Sequence, residues 1–580
     1  MAEPRAGLRG PSRLVAGAAA VGAACLALAL VPTATYADAF AHPVRVELLG
    51  GAIPEATMQG AAAFRFALAA AAALIPLLVW MLARACPPDA ERPPRPIAPR
   101  TRAGWLLLAS IVAIGGALRI AVARESLWYD EISAFLSFAI EGPGVAFGSY
   151  AVPTNHVPMT IATWAVWTLS GGSLDELVLR APAIAAGVAS IAVAYALGAT
   201  LFTRRLGLFT ALAVAVGPIP VVEGAEARGY AFVILGALVA TLALARAFRT
   251  RSAREYAVFA VACAFMAWSH PVAVLVPISA GVIGLARDRR LAIASLLAGV
   301  SAAVLLAPLA GDVLATRADY ARSDAAQPAP WSREGLEAVY GLTLAWSGSR
   351  PWWFLDPTPL LAVAAGFGYA AIARSREPAA RRTRAALAPV LAAFVLAFAL
   401  SAALGTWIYA RFLVFTVPAG ALALTAFAWS ALRASRGRRG LQPWILPVRP
   451  QVALCAGVIL LGGISGMRNL ACRQPIRDAV EVVARSRAAD DRVATIGLPD
   501  NAVGFYAQRY GFEATATGFL GKDLAAVLAR DAPRFVVVLY PNRVDGEILR
   551  LLDAGHDRTH TFDGWADWGA GTVEIWELAR

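Results

Sequence analysis

The chain has 580 residues, of which 58% are hydrophobic and 16% charged, with a formal net charge of +13 and a mean hydropathy of +0.60. A soluble globular protein is about 45–50% apolar and about 25% charged, so this composition excludes a soluble enzyme and points to a polytopic membrane protein. The basic residues, nearly all Arg with Lys522 the only lysine, sit in short clusters between apolar runs, which excludes the continuous basic face of a nucleic-acid-binding protein.

At the start, Arg5, Arg9 and Arg13 precede an apolar stretch that ends near "TATYADA". It reads either as a first span or as a signal peptide with a small-residue cleavage site. A bilayer span needs about 20 apolar residues, range ~17–25. On that measure the candidate spans are 14–32, 63–84, 103–122, 181–202, 207–222, 230–248, 255–268, 272–287, 291–310, 357–374, 385–404, 411–431 and 450–466. We therefore expect a polytopic α-helical membrane protein of about 11–13 transmembrane helices, in keeping with that window. A Pro/Arg-rich linker fills 85–102, so the expected division is 1–102, a membrane domain over 103–468 and a tail over 469–580.

Orientation follows from the arginines. Those at 92–102, 204–205, 246–254, 287–290, 374–384 and 433–439 fall on one side when the spans are threaded alternately, and this side is expected to be cytoplasmic. The loops 123–156, 223–229 and 311–356, and everything after about 467, then face outward from the inner (plasma) membrane. Five widely spaced cysteines (Cys25, Cys86, Cys263, Cys455, Cys472) suggest neither a disulfide framework nor a zinc site.

The tail changes character. "IRDAVEVVARSRA", "AVGFYAQRY" and "DLAAVLAR" read as helices, and "RVATIGL", "RFVVVLY" and "TVEIWEL" as strands. Their alternation predicts a small extracytoplasmic α/β domain with a mostly parallel sheet. "GLPDNAVG" lacks both the GxGxxG pattern and the P-loop lysine, so no nucleotide site is expected there.

The polar residues of the outward loops carry the chemistry. "WYDEISA" places Asp130 and Glu131 just beyond a span. They read either as an ordinary helix N-terminal acid pair or as a base at the mouth of a membrane cavity. His156 precedes an apolar helix too short to span and reads as a cap or as an acid/base group. "VVEGAEARGYAF" packs Glu223, Glu226, Arg228 and Tyr230 into eight residues, as a salt-bridged turn or as a cavity lining. His270 and Arg411 stand at outward span ends; Arg411 either snorkels to headgroups or binds a lipid phosphate through its planar fork.

Taken in order, "SLWYDEISA", "NHVPMTI…WTLSG", "VEGAEARGYAF", "WSHP" and "YARFLVFTVPA" resemble the GT-C class of membrane glycosyltransferases, particularly the protein O-mannosyltransferase and lipid A aminoarabinose transferase superfamily, over roughly 103–430. The resemblance implies Asp130 as general base, with Glu131 as its companion or a metal ligand. It implies substrate-binding roles for His156, Glu226, Arg228, Tyr230, His270 and Arg411. Asn155-His156-Val157-Pro158 departs from the family's His-Pro-Pro stretch at Val157. The implied reaction is transfer of a hexosyl or pentosyl unit from a polyprenyl-phosphate sugar to a lipid, glycan or protein acceptor, with inversion. A divalent metal held through Glu131, His156 or His270 is compatible with it, but the spacing carries no metal signature. A lipid-linked saccharide flippase, an O-antigen ligase or polymerase, and a nonenzymatic assembly protein stand as alternatives. No internal repeat of the kind transporters carry is visible.

Overall fold

The computed structural model describes residues 10–86, 97–323, 358–404, 409–437, 456–457, 459–460, 473–497, 501–564 and 571–579. The expected span at 450–466 lies almost wholly outside them. Seven of the described helices are long and apolar enough to cross a membrane: Glu55–Ala85, Arg102–Ala123, Glu176–Leu201, Tyr230–Thr250, Arg289–Thr316, Pro378–Ala403 and Arg411–Arg433. An eighth is a bent pair, Arg13–Ala29 with Thr33–Phe40, turned by 89°. The polytopic helical fold is therefore present, with seven or eight full-length helices among the described residues.

Some of the expected spans are shorter or broken, for local reasons. The segment expected to span 207–222 is a 13-residue helix, Arg204–Val216, followed by a five-residue helix, Pro218–Val222. A 13-residue helix rises about 20 Å, short of the ~30 Å hydrocarbon core. Gly217 and Pro218 break it, because proline brings no N–H to continue the ladder. The carbonyls left open are met by Arg119, fully buried in helix Arg102–Ala123. Its guanidinium donates to the carbonyl oxygens of Gly115 (2.9 Å), Val214 (3.1 Å), Ala215 (3.3 Å) and Pro220 (2.9 Å). Ala253–Ser269 and Thr358–Arg374, 17 residues each, sit at the lower limit for a span.

The arginine-rich loops meet at one end of the bundle. Arg204 donates to the Ala98 carbonyl at 2.8 Å, Arg290 to the Ala85 carbonyl at 2.9 Å, and Arg433 pairs with Glu377. The opposite end gathers the loops that carry the candidate residues. The bent N-terminal helices pack there too. Tyr36, Phe40, Phe64 and Phe147 form an aromatic cluster, and Arg45 reaches Asp312 at 2.7 Å. Asp312 also accepts from the Tyr150 N–H at 2.7 Å, tying the loop before His156 to the bundle.

The tail folds around a five-stranded sheet, β1 Val493–Gly497, β2 Ala514–Phe519, β3 Phe535–Leu539, β4 His556–Phe562 and β5 Val573–Leu578, in the order β2-β1-β3-β5-β4. β1 runs parallel to β2 and β3, whereas β5 runs antiparallel to β3 and β4. The mostly parallel sheet expected from the alternating pattern is thus corrected to a mixed one. β4 and β5 form an antiparallel pair, and β5 inserts between β3 and β4. Strand alternation divides the buried residues between the two faces. Ala494, Ile496, Val536, Val538 and Trp576 face helices Leu524–Asp531 and Gly546–Asp553. Val493, Phe535, Val537, Leu539 and Ile575 share a core with helix Ile476–Ser486, helix Asn501–Ala507 and, from the membrane bundle, Leu127, Ile132 and Phe135. The acid-bearing loop is therefore part of the tail's own hydrophobic core.

Candidate active site

The acid turn begins where helix Arg102–Ala123 ends. A six-residue helix, Tyr129–Ala134, carries Asp130 and Glu131 in its first turn. The two carboxylates point to different partners. Glu131, 2% exposed, accepts from Arg180 Nε at 2.8 Å and Nη2 at 2.5 Å, from the Ala227 N–H at 2.6 Å and from the Trp128 N–H at 3.2 Å. Four donors fill its acceptor capacity. Arg180 in turn donates to the carbonyls of Ala123, Glu125 and Ser126. Glu131 is thus an anchor for the turn, in keeping with a companion of Asp130 that shapes the site, and its oxygens are committed to these donors.

Asp130 is not the cap of this helix. Trp128 occupies that position, and its N–H is taken by Glu131. Asp130 Oδ2 instead lies 3.1 Å from Arg228 Nη2 and 3.8 Å from Arg411 Nη2. Its side chain keeps 15% exposure, whereas those of Arg180, Arg228 and Glu131 keep 4% or less. Asp130 is the more exposed of the two acids.

The second loop completes the cluster. Arg228 also donates to the Thr154 carbonyl at 2.9 Å. Glu223 and Glu226 both pair with Arg473, the first described residue of the tail. These cross-chain pairs replace the local salt-bridged turn that the spacing allows. Burial drives the Glu226 carboxyl well above the ordinary range, with Arg473 opposing the shift and Glu223 adding to it. Gly229 is required by close approach: a Cβ there would sit 2.3 Å from the Ser269 carbonyl oxygen and 2.6 Å from His156 Nδ1.

Behind the charges lies an aromatic group. His156 and Tyr230 rings are 5.1 Å apart, His156 and His270 5.3 Å, Tyr230 and His270 5.4 Å, and His270 and Phe412 4.6 Å. His156 precedes helix Val157–Leu169 but makes no cap bond; its Nδ1 donates to the Ser269 carbonyl at 2.9 Å. His270 Nδ1 accepts from the Val272 N–H at 3.3 Å. Burial and the nearby Arg228 push both imidazoles down, His270 to about 3, so both are neutral at physiological pH. Arg411 does not snorkel away. Its guanidinium lies 4.2 Å from the Tyr409 ring and 5.2 Å from that of Trp128.

The residues singled out from the sequence thus converge at one end of the bundle, with Arg228 and Arg411 at Asp130, Glu131 turned to Arg180, and Glu223 and Glu226 turned to Arg473. Sequence reasoning missed Trp128, Arg180 and Arg473. Trp128 is fully buried and lies within 6 Å of three guanidinium groups, those of Arg473 (4.8 Å), Arg411 (5.2 Å) and Arg228 (5.9 Å). An Arg four residues after "GSLDE" and another beside Cys472 gave no signal, because their partners lie 49 and 250 positions away. Among the described residues no group of three or more His, Cys, Asp or Glu side chains is arranged to hold a metal ion. Of the donors suggested for one, Glu131 is committed to Arg180, and His156 spends its Nδ1 on the Ser269 carbonyl.

Residues 155–312 match the family model of dolichyl-phosphate-mannose-protein mannosyltransferases. The matched segment contains His156, Arg180, the 223–230 loop and His270. It supports a membrane glycosyltransferase of the GT-C kind, the class the order of outer segments resembles. No curated protein matches the chain by sequence. Among solved structures, ArnT from Cupriavidus metallidurans bound to undecaprenyl phosphate is 15% identical, with a TM-score of 0.46 over 82% of this chain and 98% of that one. The archaeal oligosaccharyltransferase AglB from Archaeoglobus fulgidus, in complex with an inhibitory peptide and a dolichol-phosphate, is 12% identical, with a TM-score of 0.44 over 75% and 69%.

Proposed function

We propose that the chain transfers a monosaccharide from a polyprenyl-phosphate donor to an acceptor hydroxyl on the extracytoplasmic face of the plasma membrane. In this reading 103–468 is the catalytic bundle and 469–580 an outer domain. The observation that carries it is Asp130, a reachable carboxylate placed between two guanidiniums in a site whose other acids are buried in ion pairs. Arg228 and Arg411 hold the donor phosphate. A guanidinium fork matches phosphate oxygens, and charge-assisted bonds are about twice as strong as neutral ones. When the phosphate takes these cations, the Asp130 carboxylate is left facing the acceptor.

The reaction then balances without a protein acid. The acceptor oxygen attacks the anomeric carbon from the face opposite the phosphate and its proton passes to Asp130. The carbon–oxygen bond to phosphate breaks, and the polyprenyl phosphate leaves with the bonding pair. Arg228 and Arg411 stabilise the charge that develops on it, which is where preorganised cations act most strongly. Inversion at the anomeric carbon follows from the single displacement. The buried atoms without partners, Trp128 Nε1, Glu223 Oε2 and Glu226 Oε2, supply a donor and acceptors suited to a polyhydroxy ligand. Neutral His156, His270 and Tyr230 form an apolar-faced wall against which a pyranose or furanose ring packs.

The test is reconstitution. Purified protein in nanodiscs, given a synthetic polyprenyl-phosphate monosaccharide and an envelope glycan extract, should release polyprenyl phosphate and label the extract. Turnover with an oligosaccharide donor and none with the monosaccharide would favour the ligase or polymerase reading instead.

A further inference from the structure

The entrance of the tail domain reaches further into the site than a docking contact requires. The backbone N–H groups at the start of the Asp130 helix have no partner within that helix and need acceptors from elsewhere. Trp128 finds Glu131, as above. Two more, one in the first turn and one just before the cap, are met by side chains of the tail. Tyr129 N–H donates to Gln474 Oε1 at 3.0 Å, and Leu127 N–H donates to the Tyr506 hydroxyl at 2.7 Å. Gln474 and Tyr506 are both fully buried. Ring packing follows the same pattern, with Tyr540 edge-on to Tyr129 at 6.1 Å and Phe505 edge-on to Phe135 at 6.0 Å.

Arg473 does the corresponding work on the second loop. It is the counter-charge of both Glu223 and Glu226, and its guanidinium lies over the Trp128 ring at 4.8 Å. One residue of the tail therefore joins the acid turn to the 223–229 loop that carries Arg228. Those loops also touch directly, through Glu131 and the Ala227 N–H and through Asp130 and Arg228. Without Arg473, two buried carboxylates lose their cation, and a buried charge stripped of its partner is strongly unfavourable.

We infer that Arg473 and Gln474 are positioning residues for the transfer step: the tail's first two described residues hold the Tyr129 backbone, the Trp128 ring and the carboxylates of Glu223 and Glu226, so that Asp130 and Arg228 stay side by side at the donor site. The inference rests on the transferase reading above. It makes the outer domain a working part of the site, although neither residue touches the reacting atoms.

The test uses the full chain in nanodiscs. Arg473→Ala should lower kcat about 10²-fold, the cost of a misplacement of about 1 Å, with the donor KM little changed. Adding Glu223→Gln to Arg473→Ala removes the surplus negative charge and should recover part of the loss. A purely structural role would instead lower the yield of folded protein and leave the kcat of the folded fraction unaltered; that result, or a double variant no better than the single, overturns the inference. Gln474→Leu removes the acceptor of the Tyr129 N–H, and hydrogen exchange over residues 126–134 should quicken relative to wild type. Unchanged exchange there also overturns it. The exchange measurement needs no substrate. A wild-type protein that shows no transfer at all would sink the transferase reading while exchange still decides whether the tail orders the acid turn.

Discussion

Arginine is used in two different ways at the two ends of this bundle. At one end Arg100, Arg102, Arg205, Arg249, Arg251, Arg254, Arg287 and Arg289 are exposed. They are explained by charge bias across a membrane and need no specific partner. At the other end Arg180, Arg228 and Arg473 are 3%, 3% and 6% exposed, and each is matched by a buried or half-buried acid. The same side chain is a topological marker in the first setting and a fixed electrostatic component in the second. What separates them is burial: in water a guanidinium is solvated whatever surrounds it, whereas in a dry interior it needs a counter-charge or, like Arg119, a full set of carbonyl acceptors.

The contrast predicts a graded set of effects. The largest belongs to Arg180 and Glu131. Replacing either by alanine leaves the other buried and unpaired, at a cost of about 3–5 kcal/mol. Thermal unfolding in detergent should show a strongly destabilised protein for each single variant. Wild-type stability in Glu131→Ala would mean that this end is wetter than its burial indicates. Next comes Arg411→Ala. Losing a charge-assisted contact to phosphate costs about 1.5–3 kcal/mol, so affinity for a polyprenyl-phosphate sugar should fall about ten- to a hundredfold, with lysine restoring only part of it. Unchanged donor affinity would move phosphate binding to Arg228 alone. The smallest effect is expected at the other end. Arg254→Gln, an exposed site, should alter stability by no more than about 0.5 kcal/mol and leave transfer unchanged. A large effect there would erase the distinction between the two ends.

Sidedness sharpens the same comparison. Cysteines placed at 102 or 382 should resist a membrane-impermeant reagent in intact cells, and those at 130 or 520 should react once accessible to it. Labelling at 382 but not at 520 would turn the whole site to the wrong side of the membrane.

Much of the site was legible because membrane composition makes polar residues conspicuous. Asp130, Glu226, Arg228, Tyr230, His270 and Arg411 stand out at the ends of apolar runs, and threading the runs brings them to one end of the bundle. The division of labour between Asp130 and Glu131 was not legible. It depends on Arg180, which sits among the apolar residues of a span 49 positions away and looks like any helix-end arginine. Arg473 was hidden for the same reason, since no local pattern announces a partner 250 residues upstream. The tail strands β1 and β3 were readable because both are buried on two faces and are continuous apolar runs. β4, "HDRTHTF", is a largely exposed edge strand with a polar sequence, and its absence from the reading made the sheet look more parallel than it is. The broken helix near Gly217 passed as a span because hydropathy does not register that Pro218 and Pro220 interrupt the backbone ladder.

The central claim is that Asp130 takes the acceptor's proton. It is tested most directly by measuring transfer and donor binding in the same nanodisc samples of wild type and Asp130→Asn. The amide keeps the shape and its place in the first turn but cannot accept the proton. General-base catalysis contributes about 10²–10⁴-fold, so transfer should fall at least that far while the protein stays folded and the donor still binds. Full transfer by a folded Asp130→Asn protein would contradict the account and leave the acid turn as scaffold alone.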